Sequence, residues 1–319
     1  MISILMTVYK EPLKWVEKAL DSISNQNIDE VLELVLVIDN PNYLYISDIK
    51  HIVQSSFDKN IIIVNDVNKG LVESLNIAFL HATGNYIARM DCDDISFLDR
   101  FNEELTFLKN NNLDFVASSI ILISEEEHQL ADLSFSGSLS GKYLNCVQGK
   151  QNQFWHPTWL MKRKVMKDLH GYRSIPSVED YDFVLRALSN NFRLGLLGKA
   201  TVKKRFNRLS ISEMDNYRQS VYTQWLLEKY NSGKQADLKN LPVINKQKEL
   251  RFYEVKKMLA IRKKMTMSSK VFLFVKMISN TEGRYILKSI FVQKYQIKGL
   301  NFIKKVLTKF KVRPSDAGY

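Results

Sequence analysis

Three carboxylates follow an apolar run in the stretch IARMDCDDIS, residues 87–96, where Asp91, Asp93 and Asp94 fall within four positions. Like charges this close repel one another unless a cation lies among them. Asp91 and Asp93 are two residues apart, so an extended backbone directs both side chains to the same side. Hard carboxylate oxygens of this kind suit Mg²⁺ or Mn²⁺, which also accept phosphate oxygens as ligands. The spacing therefore predicts a divalent-metal site at Asp91 and Asp93.

Part of this cluster has a structural alternative. Asp94 or Ser96 could cap a helix predicted from Phe97, where acids are also favourable. That interpretation leaves Asp91 and Asp93 unexplained, because unpaired carboxylates are costly directly after a buried strand.

Apolar strands alternate with amphipathic helices over the first 120 residues. The periodicity predicts strands at 2–8, 33–39, 61–66 and 86–91, with helices at 12–26, 44–57, 70–84 and 97–111. Gly84 is expected to end the third helix. This order favours an α/β fold, a Rossmann-like and mostly parallel sheet with helices on both faces.

Polar residues follow each predicted strand, at the sheet edge where such folds bind ligands. They are Thr7, Tyr9 and Glu11 after the first strand, Asp39 after the second, Asn65 and Asp66 after the third, and Asp91 to Asp94 after the fourth. Asp39 taken alone could be a helix N-cap or a turn former. The first turn, TVYKEP, has no glycine, so the dinucleotide fingerprint is absent and no P-loop occurs either. A bound cation would have to neutralise phosphate here.

Five ordered blocks carry a resemblance to a known family. ISILMTVYKEP, LVLVIDNP, NKGL…ATGNYIARMDCDD, HPTWLMKRKVM…GYR and EDYDFVLRA occur in this order between residue 1 and about residue 190. Together they resemble the family 2 glycosyltransferases of GT-A fold. The resemblance implies a metal-dependent, inverting transferase of the hexosyltransferase type, with a nucleotide-sugar half at about 1–95 and an acceptor half at about 96–211.

The resemblance also implies roles for single residues. Asp39 would contact the nucleoside, Asp91 the ribose or metal, and Asp93 the metal directly. Other donor-site residues would be Thr7, Tyr9, Glu11, Asn68 and Lys69, with His156 beside a sugar and Arg205 on the diphosphate. Taken alone, Lys69 could be a solvated loop lysine and His156 a structural residue. Arg208 could assist Arg205, but Asn207 stands where many relatives have a histidine, which puts a third protein ligand for the metal in doubt.

Acids open the predicted helix at EDYDFVLRA, residues 179–187. An inverting sugar transfer needs a carboxylate to take the proton of the acceptor hydroxyl. The resemblance makes Asp180 that base, with Glu179 as the alternate. The structural alternative is a capping box in which Ser177 is the N-cap and Asp180 lies three residues on. Trp155 and Trp159 are candidate sugar platforms, although core packing is the favoured explanation for either.

Cations concentrate in the C-terminal part of the chain. Residues 251–319 contain 17 Lys and Arg against three acids, whereas the rest is close to neutral. LNFIKKVLTKFK, residues 300–311, has the pattern of a basic amphipathic helix that lies on an anionic membrane surface, and KVFLFVKMIS is similar. A helical subdomain packed on the body is the alternative, and nucleic acid is not expected because no recognition motif is present. We therefore predict a GT-A domain at 1–211 and a helical, basic, membrane-associating region at 212–319.

The setting follows from the same observations. Two cysteines in no metal or disulfide pattern indicate a reducing compartment, and no apolar run of 18 residues occurs. The resemblance implies a cytoplasmic enzyme, peripheral at the inner face of the plasma membrane. It would use a nucleotide-sugar, with a UDP-sugar as the expected donor, and a lipid-diphosphate-linked saccharide in O-antigen or capsule synthesis. A sugar nucleotidyltransferase of related fold, or a non-catalytic protein that binds membrane or nucleic acid through its basic tail, stays open as an alternative.

Overall fold

The computed structural model describes residues 1–206 and 216–260. These residues form two compact units, the first with 1–174 and 179–206 and the second with 175–178 and 216–260. The predicted tail helices, together with Asn207 and Arg208, lie outside the described residues. Within the described ranges, no helix is both long and apolar enough to span a bilayer.

The first unit is built from strands and helices in alternation. Its strands are β1 (Ile2–Val8), β2 (Leu32–Ile38), β3 (Lys59–Val64), β4 (Tyr86–Asp91), β5 (Ile95–Ser96), β6 (Phe115–Ile123), β7 (Gln129–Asp132), β8 (Ser138–Ser140), β9 (Leu160–Lys162) and β10 (Leu194–Arg205). Its helices are α1 (Leu13–Ser24), α2 (Ile46–Ser56), α3 (Leu71–His81), α4 (Arg100–Asn110), α5 (Gly141–Gln148), α6 (Arg163–Asp168) and α7 (Glu179–Ser189), with a 3-10 turn at His156–Thr158.

All described strands join one mixed sheet. Its main path runs β3-β2-β1-β4-β9-β6-β10-β5, with β7 paired to β6 and β8 paired to β10. β3, β2, β1 and β4 are mutually parallel, and β6 runs parallel to β10. β9 lies antiparallel between β4 and β6 and so joins the two parallel parts. The predicted fold class, a largely parallel α/β sheet, is confirmed.

Helices cover both faces of the parallel part. Alternate residues of β1 (Ile2, Ile4, Met6 and Val8) pack in one buried cluster with apolar side chains of α1, α2 and α4. Side chains alternate across a strand, so the intervening residues of β1 face the other way. The helix α3 contacts β1 and β2 and contributes nothing to that cluster, which places it on the second face.

Two local predictions are wrong. Gly84 does not end α3, which stops at His81 with Ala82 as its C-cap. Instead, a Cβ on Gly84 would lie 2.7 Å from the backbone nitrogen of Ser3, so glycine is needed where this loop crosses β1. The helix predicted from Phe97 begins only at Arg100, because Ile95 and Ser96 pair with β10 and the Phe97 N–H donates to the carbonyl of Thr201. Neither Asp94 nor Ser96 is therefore a helix cap.

The second unit is helical in its described part. It contains α8 (Asn216–Asn231), a 3-10 turn at Leu238–Asn240 and α9 (Lys246–Ala260). The ring of Tyr217 on α8 contacts that of Phe252 on α9, with centroids 5.3 Å apart.

Candidate active site

The parallel strand order brings the predicted strand-end residues to one edge of the sheet. β1 lies between β2 and β4, and Thr7 on β1 is paired in register with Asp91 on β4. Just after β1, the carboxylate of Glu11 accepts hydrogen bonds from the backbone N–H groups of Tyr9 and Lys10, at 2.7 and 3.0 Å. Glu11 thus closes the glycine-free turn, and the Tyr9 side chain is left exposed at this edge.

Asp39 is buried and fastens the loop that follows β3. Its carboxylate accepts hydrogen bonds from the Asn65 amide at 2.7 Å and from the backbone N–H groups of Lys69 and Gly70, both at 2.8 Å. Asn68 accepts a further hydrogen bond from the Gly70 N–H at 3.0 Å. The φ angle of Gly70, +83°, favours glycine at this turn. The structure therefore assigns Asp39 a loop-holding role, and nucleoside contact stays a prediction for it.

Lys69 does not point freely into solution. Its ammonium lies 3.1 Å from the carboxylate of Asp66, on the exposed part of the same loop. An exposed pair of this kind is weak, so a phosphate group can replace Asp66 as its partner.

The acidic cluster forms as the sequence predicted and includes a third member. Carboxylate oxygens of Asp91, Asp93 and Asp94 all lie within 4.8 Å of one another. Asp94 is fully buried; one oxygen accepts the backbone N–H of Arg205 at 2.7 Å, and the other has no hydrogen-bond partner among the described residues. Such a donor set fits a hard divalent cation.

Two side-chain cations of the described residues contact this cluster, and sequence reasoning missed both. Arg89 pairs with Asp91, and the ammonium of Lys204 lies 3.5 Å from Asp91 and 3.6 Å from Asp94. Burial alone would raise the pKa of Asp91, but the charges of Arg89 and Lys204 outweigh it and hold that pKa below its usual range. Burial and the charge of Asp91 raise the pKa of Asp93, which pairs with no cation among the described residues.

A buried polar network supports the strand that carries the cluster. Arg100 on α4 is fully buried and donates to the backbone carbonyl of Arg89 at 2.7 Å and to the hydroxyl of Ser96 at 3.1 Å. Its guanidinium pairs with Glu104 at 3.3 Å, and Glu104 accepts a hydrogen bond from Thr201 on β10 at 2.6 Å. Because β4, β5 and β10 share these bonds, the aspartates and Lys204 are held by one rigid support.

Arg205 is placed differently from its prediction. Its guanidinium donates to backbone carbonyls of Asp93 and Glu125, at 2.9 and 2.7 Å, and pairs with Glu127 at 3.2 Å. The group also lies over the ring of Trp15, 5.0 Å from its centroid. These contacts occupy the Arg205 guanidinium and fix the backbone at Asp93, which argues against diphosphate binding by Arg205. That role stays a prediction.

His156 belongs to an aromatic cluster. Its Nε2 lies 2.8 Å from the hydroxyl of Tyr172, and its ring contacts Trp159 at a centroid distance of 4.5 Å. Burial, and then the charge of Arg89, holds the pKa of His156 well below its usual range, so the ring is neutral. Trp159 is fully buried and packs on Phe183, which excludes it as an exposed sugar platform. Trp155 stays partly exposed.

The first turn of α7 presents two interacting carboxyl groups. Asp180 accepts hydrogen bonds from the Tyr181 N–H at 2.6 Å and from the Asn152 amide at 3.1 Å. Burial raises the pKa of Asp180 to about 6, and burial with the charge of Asp180 raises that of Glu179 to about 8. The charge of Asp91 contributes to both shifts, so the pair and the acidic cluster lie within electrostatic reach. Near neutral pH, the pair thus offers one carboxylate that can accept a proton and one carboxyl that holds one. The helix α7 begins at Glu179, and the φ angle of Ser177, two residues earlier, is +66°.

The raised pKa of Glu179 predicts an unusual dependence of stability on pH. The pKa moves from 4.5 to about 8, so this group's contribution to stability is complete below about pH 4.5 and is lost as the pH rises to 8. We expect the melting temperature of the protein to fall between pH 5 and pH 8, and Glu179→Gln to reduce that fall. Melting curves at several pH values measure it, with the exposed Glu17→Gln as control. An unchanged slope in Glu179→Gln would contradict the shift.

Asp182 has a structural role rather than a catalytic one. It is buried and pairs with Arg173 and with Arg186, the latter at 2.8 Å, while Arg186 also donates to the carbonyls of Leu169 and Gly171. Asp182→Asn should therefore destabilise the fold by about 3–5 kcal/mol, the usual cost of breaking a buried ion pair.

Denaturant unfolding measures the effect of Asp182→Asn. The control is Asp168→Asn, which breaks only the exposed pair with Lys164 and should cost at most about 1 kcal/mol. Equal losses in the two variants would show that the Asp182 pairs contribute little.

Comparisons with known proteins agree with this geometry. Residues 3–170 match the family model described as glycosyl transferase family 2. The chain belongs to this family. Its membership and its enzymatic class, glycosyltransferase, confirm the predictions made from the five sequence blocks, and a sugar nucleotidyltransferase or a non-catalytic protein no longer fits.

Individual relatives support the same assignment. The chain is 27% identical to a Methanocaldococcus jannaschii glycosyltransferase, MJ1057, over 76% of this chain and 83% of that protein. It is 29% identical to the O-antigen biosynthesis glycosyltransferase WbnJ of Escherichia coli, over 66% of this chain and 81% of WbnJ. Among solved structures, Staphylococcus aureus TarS 1–349 in complex with UDP-GlcNAc matches with a TM-score of 0.60 at 16% identity, over 74% of this chain and 68% of that one. The last likeness confirms the GT-A fold.

Proposed function

We propose that this family 2 enzyme is a metal-dependent, inverting glycosyltransferase that moves a sugar from a UDP-sugar to a lipid-diphosphate-linked saccharide. The observation that carries the proposal is the pairing of two features in one unit. An acidic cluster that fits a divalent cation lies within electrostatic reach of a carboxyl pair suited to proton transfer.

The residues present fit Mn²⁺ or Mg²⁺. Asp91, Asp93 and Asp94 supply closely spaced hard oxygens, and a buried oxygen of Asp94 lacks a hydrogen-bond partner among the described residues. A cation held there would stabilise the departing nucleoside diphosphate. The oxygen of the acceptor hydroxyl forms a bond to the anomeric carbon of the donor sugar while the bond from that carbon to the diphosphate breaks. Asp180 accepts the proton of the hydroxyl in this step.

The donor and acceptor are proposed from similarity and charge. TarS, whose fold is shared, binds UDP-GlcNAc, and WbnJ is named for O-antigen biosynthesis. Both support a UDP-sugar donor and a bacterial surface polysaccharide, O-antigen or capsule, as the product. We place the enzyme in the cytoplasm, at the inner face of the plasma membrane, where lipid-linked saccharides are extended.

Transfer to a defined acceptor tests this function. The full-length protein is incubated with Mn²⁺, labelled UDP-sugars and a set of lipid-diphosphate saccharides, and the anomeric configuration of the product is read by NMR. The proposal expects the label on the lipid-linked saccharide with its configuration inverted. A retained configuration, or transfer only to free saccharides, would contradict it.

The basic tail predicts a membrane interaction that the full-length protein can test. Replacing Lys304, Lys305 and Lys309 by Gln should weaken binding to anionic vesicles, and binding of the unaltered protein should weaken as salt rises. Co-sedimentation with vesicles measures both effects. The matched control replaces the exposed Lys14, Lys50 and Lys59, which lie in the first unit. Equal sedimentation of the two triple variants would contradict a membrane role for the tail.

A further inference from the structure

The acidic cluster contains its own cation in the form of Lys204. The Lys204 ammonium contacts Asp91 and Asp94, at 3.5 and 3.6 Å, with its side chain 30% exposed. Its Asp94 partner is the oxygen that makes no hydrogen bond with any described residue. The carboxylates that would hold a divalent cation are thus already neutralised in part by a side chain.

Strand geometry brings Lys204 to this position. β10 ends at Arg205, and Lys204 is its penultimate residue, next to β6 in the sheet. The preceding residue, Lys203, points to the other face, where its ammonium lies 5.4 Å from the ring centroid of Phe97. Of these two neighbouring lysines, Lys204 contacts the aspartates and Lys203 does not.

An ammonium ion and a divalent metal ion compete when they use the same oxygens. Lys204 occupies one oxygen of Asp91 and one of Asp94, and both residues belong to the proposed metal site. The positive charge of its ammonium would also repel a metal ion bound to the same carboxylates. The Lys204 side chain is flexible and partly exposed, so its ammonium can turn away from the aspartates. A diphosphate beside the metal offers that ammonium negatively charged oxygens instead.

We propose that Lys204 competes with the divalent cation for Asp91 and Asp94, and that the nucleoside diphosphate accepts its ammonium when both bind. This inference rests on the metal-dependent function proposed above. It makes the binding of metal and nucleotide cooperative, because the nucleotide draws Lys204 away from the metal's oxygens and the metal releases Lys204 to pair with the nucleotide. Metal without nucleotide then binds weakly, which limits occupancy of the site until the donor arrives.

Manganese titration followed by electron paramagnetic resonance tests the proposal without an activity assay. Free Mn²⁺ is measured for the full-length protein, Lys204→Met, Lys204→Gln, Lys204→Arg and the control Lys203→Met, with and without UDP. Without UDP, we expect both neutral variants at position 204 to bind Mn²⁺ about tenfold more tightly than the unaltered protein, because a nearby positive charge is gone. Lys204→Arg should keep the affinity low, and Lys203→Met should leave it unchanged.

The response to UDP gives a second readout. UDP should strengthen Mn²⁺ binding in the unaltered protein by a larger factor than in Lys204→Met or Lys204→Gln. Tighter binding cannot come from an unfolded chain, and Asp91 keeps Arg89 as a partner in every variant. If both neutral variants bind Mn²⁺ no more tightly than the unaltered protein, the role of Lys204 is overturned but the metal site is not. No Mn²⁺ binding by any of the proteins, even with UDP, would overturn the metal site and this inference together.

Discussion

Asp93→Ala is expected to abolish sugar transfer and metal-dependent nucleotide binding while the fold stays intact. Asp93 carries one of the three carboxylates that fit a divalent cation, and it makes no ion pair with a described residue. Its side chain therefore contributes to ligand binding more than to the fold. Burial and the charge of Asp91 raise the pKa of Asp93, so removing this carboxylate also relieves repulsion in the protein without metal. We expect an unchanged or higher melting temperature together with the loss of activity.

Turnover and Mn²⁺-dependent UDP binding measure this result. The control is Asp58→Ala, which removes an exposed carboxylate just before β3, at the opposite end of the strands. Near-normal turnover of Asp93→Ala at saturating Mn²⁺ would refute the metal assignment.

Asp180→Asn should keep the affinities for donor and metal but lose transfer by roughly two or more orders of magnitude, the usual scale for removal of a general base. The amide preserves the size of the side chain and can still accept the Tyr181 N–H. It cannot accept the proton of the acceptor hydroxyl. In the unaltered protein, transfer should fall as the pH drops below about 6, where Asp180 becomes protonated.

Glu179→Gln distinguishes the two members of the pair. Its carboxyl has a pKa raised to about 8 and holds its proton near neutral pH, so the variant should lose far less activity than Asp180→Asn. Pre-steady-state transfer and UDP titration separate turnover from binding. If Asp180→Asn loses UDP affinity as strongly as it loses turnover, Asp180 is a ligand for the donor or a structural residue, and Glu179 becomes the candidate base.

The first four strands could be predicted from the sequence because each contains an apolar run of strand length. Ile2–Val8 matches its prediction, and Tyr86–Asp91 does as well. Parallel pairing then required the strand-end residues to meet, which is why Thr7 and Asp91 were correctly expected at one edge. The apolar periodicity of the strands and their parallel order determine this half of the site.

The remaining half depends on one short antiparallel pair and on long-range side-chain contacts, which leave little trace in a sequence. Ile95–Ser96 is a strand of two residues, and it shifts the start of α4 to Arg100. Lys204 and Arg205 look like part of a basic run, yet β10 carries one to the aspartates and buries the other. Asn152 reaches Asp180 across 28 residues of sequence. Only the register of β10 and the position of α7 could reveal these partners.

Release of UDP from UDP-sugars is the most direct measure of whether this chain is a metal-dependent nucleotide-sugar enzyme. The full-length protein is incubated with UDP-, GDP- and dTDP-sugars in the presence of Mn²⁺, and again with a chelator. The structure predicts release from at least one UDP-sugar with Mn²⁺, none with the chelator, and none from Asp93→Ala under either condition. Release that persists undiminished with the chelator and in Asp93→Ala would contradict the account.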